Sequence, residues 1–240
     1  MIDFNTEPYN DDFNEDNKFY RILFRPSVAV QARELTQLQT ILQNQIKRHG
    51  DHVFEQGAMV IPGQSSIDTK VGFVKLQPLY AGQVVETYID QLEGIDVVGE
   101  SGLTAKVVKV IKAEGTDPAT LFVKYTNSGN TGEAKTFSGS ELITPVNTAF
   151  SSYTVQASPT DATGVGSIAS IQRGVYYVNG HFVLVDEQTI VLDKYNNRPT
   201  YRIGLNFQER IATPEDAGYE MLLDNAQNSY NFAAPGAHRY

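Results

Sequence analysis

The sequence predicts a mainly β protein with one long N-terminal α-helix, its antiparallel β domain carrying an inserted small β-barrel. Three observations predict this. From residue 51 onward, short runs rich in β-branched and aromatic residues alternate with Gly, Pro and Asn turns. Ahead of them, residues 27–49 hold an unbroken helical pattern rich in Gln, Leu and Ala. Thirteen Tyr, twelve Phe, fifteen Asn and fifteen Gln accompany no Trp and no Cys, a balance that suits a β-rich chain with amide-rich surfaces.

Residues 1–26 read as an extended arm. Its aromatics, Phe4, Tyr9, Phe13 and Phe19, need a surface to lie on, and the apolar run Phe19–Phe24 predicts a short strand halted by Arg25-Pro26. The helix follows over 27–50, with Ser27 as cap and Gly50 as left-handed stop. Written in heptads, Val28, Leu35, Leu42 and His49 fall on one line and Gln31, Leu38 and Gln45 on the other. Ala32, Ile41 and Ile46 widen the stripe. Two readings stay open: an amphipathic helix packed on its own β domain, or one that joins copies of itself, with the Gln layers fixing register. For the second, Val28, Gln31, Leu35, Leu38, Leu42 and Gln45 are the candidate self-association residues.

Strands are predicted at Val53–Ile61, Lys70–Leu76, Ala105–Ile111, Thr120–Tyr125 and Tyr201–Phe207. Asn179-Gly180, between Val175–Val178 and His181–Val185, predicts a two-residue type I′ hairpin, because both residues tolerate positive φ. Residues 84–145 read as the inserted small β domain, and 51–83 with 146–240 as the main one. The Ser/Thr/Ala/Gly-rich stretch Ser151–Ser167 reads as a return linker, and Thr213-Pro214 as a helix start. Leu222–Tyr240 is loop-like until Ala237–Tyr240, which resembles the start of a strand, so the polypeptide is expected to continue.

A net charge of −9 argues against sequence-independent nucleic-acid binding, which rests on Lys and Arg neutralising phosphates. No apolar run approaches the roughly 18–20 residues that span a bilayer, so no membrane insertion is expected. Without Cys there is no disulfide, thiolate metal site or cysteine nucleophile. Of the four histidines, His49 and His52 are parted by Gly50, and His181 reads as an exposed hairpin residue. The calcium-loop pattern opening at Asp12 fails, with Asn17 in the glycine position and Leu23 in the glutamate position. Gly164–Ser167 and Gly129–Gly132 lack the Gly-Lys-Ser/Thr of a phosphate loop. No catalytic, cofactor-binding or metal-binding residues are assigned, and the chain reads as a non-enzyme.

Two segments together carry a resemblance. They are Phe24–Gln39 running on to Ile41–Ile46, and Leu222–Gln227 followed by Asn231–Ala237. The pair resembles a family of tailed-bacteriophage structural proteins, found in contractile-tailed phages including cyanophages and carried as a domain of unknown function. Tyr177–Phe182 and Ala105–Gly129 match it in character. Ser27 and Asn228 stand where that pattern has glycine. The resemblance implies a virion structural protein at the attachment region of a tail fibre or baseplate, assembled in the host cytoplasm. Its partners would be its own copies, with a trimer ahead of a dimer on the resemblance alone, and neighbouring tail proteins. Two rivals are a receptor- or glycan-binding module using Tyr176-Tyr177 or Asn228–Asn231, and a polysaccharide-degrading tail enzyme.

Overall fold

The computed structural model describes residues 2–216 and 237–240. The chain is mainly β with one long N-terminal helix, α1 (Ala32–Val53). Thirteen strands follow among the described residues: β1 (Met59–Ile61), β2 (Ser65–Lys75), β3 (Leu79–Tyr80), β4 (Gln83–Val84), β5 (Asp96–Gly99), β6 (Thr104–Ile111) and β7 (Thr120–Tyr125). After these come β8 (Leu142–Pro145), β9 (Val155–Gln156), β10 (Thr163–Ile171), β11 (Gly174–Val178), β12 (His181–Val185) and β13 (Gln188–Asp193). Eight form one antiparallel sheet in the order β13-β10-β2-β7-β6-β5-β8-β9, which curls into a half-barrel. A three-stranded sheet runs β1-β11-β12, and β3 and β4 make a small hairpin. Residues 84–145 supply β5 to β8 of the large sheet.

Two compact units result. One comprises Met1–Val60, Tyr176–Val183 and Ile203–Tyr240; the other comprises Ile61–Val175 and Leu184–Arg202. In the second, Val74, Leu121, Val123, Val107, Ala105 and Val97 are buried on the inner face of the curled sheet, with Ile89, Leu92 and Phe137 packed among them. Residues alternating with these, Phe73 and Phe122, join Val71 and Ile168 in a smaller cluster. The centre of β7 is therefore buried on both faces, so Thr120–Val123 reads as a continuous run instead of an alternation.

Glu141 is the buried carboxylate of this unit. It accepts hydrogen bonds from the Ser101 N–H at 3.0 Å, the Ser101 hydroxyl at 2.9 Å and the Ser138 N–H at 2.6 Å. Three donors compensate the loss of water. Gly99 leaves room for this arrangement, since a Cβ there would stand 2.3 Å from Glu141 Oε1.

Several local expectations are corrected. Residues 151–167 are no linker: a 3-10 turn over Thr148–Tyr153, then β9 and the start of β10 occupy them. Their small residues answer a packing demand, because a Cβ at Gly164 would lie 2.6 Å from the Phe73 ring and one at Gly166 2.6 Å from the Lys194 carbonyl oxygen. Among the described residues Phe19–Phe24 and Tyr201–Phe207 find no ladder partner and form no strand, and of Val53–Ile61 only Met59–Ile61 is strand. The Asn179-Gly180 hairpin forms with φ of 49° and 91°, as type I′ geometry demands. At Thr213 the Asp216 carboxylate accepts from the backbone N–H at 2.8 Å, but residues 217–236, and with them Leu222–Gln227 and Asn228–Asn231, lie outside the described residues.

Replacing Glu141 by Ala should deprive the Ser101 N–H and hydroxyl and the Ser138 N–H of their part-buried, charged acceptor. A loss of about 1.5–3 kcal/mol of stability is expected, the usual contribution of a hydrogen bond to a charged group. Urea unfolding measures it, and an unchanged midpoint would contradict the role given to this carboxylate.

Candidate self-association surface

Helix α1 starts later and runs further than the 27–50 pattern predicts. Ser27 adopts the left-handed region, φ 62°, directly after Pro26, so the helix cannot begin there. A glycine would adopt that conformation more readily than serine does. Gln31 is the extended cap residue, its N–H donating to Glu34 Oε2 at 2.9 Å. Gly50 does not end the helix. It is buried inside it, because the Tyr177 ring lies so close that a Cβ at Gly50 would stand 2.3 Å from Tyr177 Cε2. The helix ends at Val53, and extended Phe54 packs on Tyr177 and Phe182 with ring centroids 5.6 and 5.7 Å away.

The helix holds its own unit mostly through polar side chains. Gln37 donates to Asp12 at 2.9 Å, Thr40 donates to the buried Asp11, and Asn44 donates to Glu15 at 3.2 Å. Arg48 pairs with Glu15 at 2.5 Å, and Gln43 donates to the Gly180 carbonyl oxygen at 2.6 Å. Tyr177 donates to Asp51 Oδ1 at 2.8 Å, with the Lys47 carbonyl oxygen 3.0 Å away as second acceptor. Gln56 extends this network, donating to Asp51 at 3.1 Å and accepting from the Asn179 N–H at 2.8 Å. Lys47 first, and Tyr177 second, hold the Asp51 carboxyl below its ordinary range. Of the apolar residues on the helix, Ile41 is the one that is buried.

The rest of the apolar stripe faces away. Leu35 is 50% and Leu42 56% exposed, and Ile46 and Val53 are exposed as well. Gln45 and His49 are exposed beside them, and Leu38 is half-buried. In heptad terms the two seam lines and the position after the second form the outward face, while the remaining positions grip the unit. Val28 and Gln31 precede the helix, Val28 exposed in the turn that leads to it. The arm has the same character: Phe19, Tyr20, Leu23 and Phe24 are exposed, as is Val30 just ahead of the helix.

Other candidate chemistry is sparse. His181 is half-buried, contrary to the expectation of an exposed hairpin residue, because the Gln43 amide reaches its Nδ1 at 3.3 Å and the Tyr240 ring lies 5.4 Å from its own. Its buried Nε2 finds no hydrogen-bond partner among the described residues. A cavity of about 350 Å³ beside it is lined by Val183, Phe207, Arg210, Arg239 and Tyr240. Burial first, and Glu209 second, push the Tyr240 hydroxyl up to about 12, so it remains a neutral donor. Among the described residues no group of three or more His, Asp or Glu side chains is placed to hold a metal ion. No described helix is long and apolar enough to cross a membrane. Tyr177, a candidate for stacking on sugars, is fully buried and has no face to offer.

A family model described as a domain of unknown function (DUF4815) matches residues 7–134, more than half of the 240-residue chain. The chain belongs to that family, whose matched region includes most of the arm, all of α1 and β1 to β7. No curated protein and no solved structure matches it.

Burial first, then the Asp51 carboxylate, raises the Tyr177 hydroxyl from 10.0 to about 12. The folded chain therefore keeps this proton where the unfolded chain loses it. Its stabilising share is whole below pH ~10 and declines through pH ~12. Stability measured by denaturant unfolding should fall with pH across that window. Tyr177→Phe should flatten the slope there, and an unaltered slope would count against the assignment.

Proposed function

We propose that the chain is a non-enzymatic structural protein of a tailed-phage virion, acting at the attachment region of a tail fibre or baseplate. It gathers copies of itself through α1 and contacts neighbouring tail proteins through the arm. The carrying observation is the orientation of α1, which turns its polar side inward and leaves Leu35, Leu42, Ile46 and Val53 outside. A helix in a lone soluble chain buries its apolar stripe. One that exposes a heptad stripe has that stripe available for another helix. The virion setting draws on the resemblance carried by Phe24–Ile46.

A parallel trimer agrees with the outward positions. In that register Leu35 and Leu42 on one line and Leu38 and Gln45 on the other meet their own counterparts about the threefold axis, with the exposed Gln39, Ile46 and Val53 beside them. Gln45 and His49 supply polar layers after the Leu35, Leu38 and Leu42 layers, which fixes register at some cost in stability. The exposed aromatics of the arm offer rigid apolar anchors for a neighbouring tail protein.

Sedimentation equilibrium tests the gathering role. The chain should reach trimer mass, and Leu35→Gln with Leu42→Gln should return it to monomer while circular dichroism stays unchanged, since both side chains are exposed. A wild-type chain that stays monomeric at high concentration would overturn this role. Immuno-electron microscopy of particles released from cells that carry the gene tests the setting: label at the tail end is expected, and label confined to debris would overturn it.

A further inference from the structure

A second surface lies in Tyr201–Phe207. The segment has the period-2 alternation of a strand, with Tyr201, Ile203, Leu205 and Phe207 on one side and Arg202, Gly204 and Asn206 on the other. Yet among the described residues the backbone from Tyr201 to Gln208 makes no hydrogen bond, and three residues of the apolar side are largely in solvent: Tyr201 is 61%, Ile203 42% and Leu205 51% exposed, while Phe207 is half-buried at the edge of the cavity beside His181. A Cβ at Gly204 would meet nothing within 4 Å. A strand pattern with unpaired amides and carbonyls is a template for another strand.

The order of residues specifies which strand. Read outward from Gly204 in either direction, the segment is aliphatic, polar, aromatic: Ile203, Arg202, Tyr201 one way and Leu205, Asn206, Phe207 the other. We propose that this segment pairs with itself, two copies of the chain forming an antiparallel ladder about a twofold axis at Gly204. In that register Ile203 faces Leu205 of the second copy, Tyr201 faces Phe207, Arg202 faces the Asn206 amide, and Gly204 faces Gly204. All four apolar residues then find apolar cross-strand neighbours on one face. A one-residue slip sets Arg202 against Leu205, and a parallel pairing sets Arg202 beside Arg202. The twofold contact is isologous, as closed dimers require. It uses none of the α1 stripe, so it stands apart from the trimer proposed above.

A lone two-stranded ladder is marginal in water, so covalent trapping suits it better than mass. The chain has no Cys, and Gly204→Cys introduces one thiol into open space. In the stated register two copies bring these positions face to face. Two Thr200 positions stand about 26 Å apart at ~3.3 Å per residue, beyond the ~7 Å that a disulfide spans. Under mild oxidation of the full chain, Gly204→Cys should form a disulfide dimer about tenfold faster than Thr200→Cys or Gln208→Cys alone, as that separation requires. Mixing Thr200→Cys with Gln208→Cys should restore cross-linking between the two. Equal rates for Gly204→Cys and Thr200→Cys would overturn the ladder, as would a mixture no faster than its parts. Carrying Leu35→Gln and Leu42→Gln in the same chain leaves the trapping rate unchanged if the two surfaces are independent; a rate that falls to the Thr200→Cys level would overturn the ladder as a separate contact.

Discussion

The packing of Tyr177 against the backbone of α1 is the constraint on which the N-terminal unit depends. At Gly50 the absence of a side chain lets the ring reach the helix itself, and the hydroxyl then meets Asp51 and the Lys47 carbonyl oxygen. Phe54 and Phe182 enclose the same ring. Because Tyr177 lies within β11, just before the Asn179-Gly180 turn, this one contact ties the helix to the hairpin over a sequence separation of more than a hundred residues. Gln43 to Gly180, from the helix, and Gln56 to Asn179, from just beyond its end, add polar ties to the same hairpin.

That choice of side has consequences. A helix gripped by hydrogen bonds and ion pairs gains less from each than it would from burying leucines, since such bonds contribute modestly in net terms. The leucines left outside carry the larger unspent term, at roughly 25 cal/mol for each Å² of apolar surface that a partner would cover. The Phe19–Phe24 part of the arm, the helix stripe and Tyr201, Ile203 and Leu205 share this condition: apolar side chains largely in solvent.

The sheet unit follows a different logic, in which glycines set the approach of neighbours. Gly164 and Gly166 admit the Phe73 and Phe122 rings, and Gly99 admits the Glu141 carboxylate. Burial on both faces of β7 lets the half-barrel curl around one set of side chains while a smaller cluster covers the other face. At its far end Asp117, which burial alone would raise, is instead held below the usual carboxylate range by Lys194 and Tyr195 at 2.8 and 2.6 Å. This pins the chain that leaves β13, and Lys75 stands 4.2 Å over the Tyr195 ring.

Local chemistry sufficed for features that depend on a few adjacent residues. The fold class, β7 at Thr120–Tyr125, β6 to within one residue and the Asn179-Gly180 turn were all legible, because propensity, alternation and positive-φ tolerance act within a turn or a strand. The heptad stripe was legible too, but which side of α1 faces the unit was not. That depends on Asp11, Asp12 and Glu15 and on Tyr177, groups remote from the helix in sequence. Gly50 as a site of ring contact instead of a helix stop, and Gly164 and Gly166 as packing sites instead of linker, were likewise decided only by what the tertiary structure brings beside them. Tyr201–Phe207 marks the opposite case. Its alternation writes a strand into the sequence, but a strand exists only where a partner supplies hydrogen bonds, and none of the described residues does.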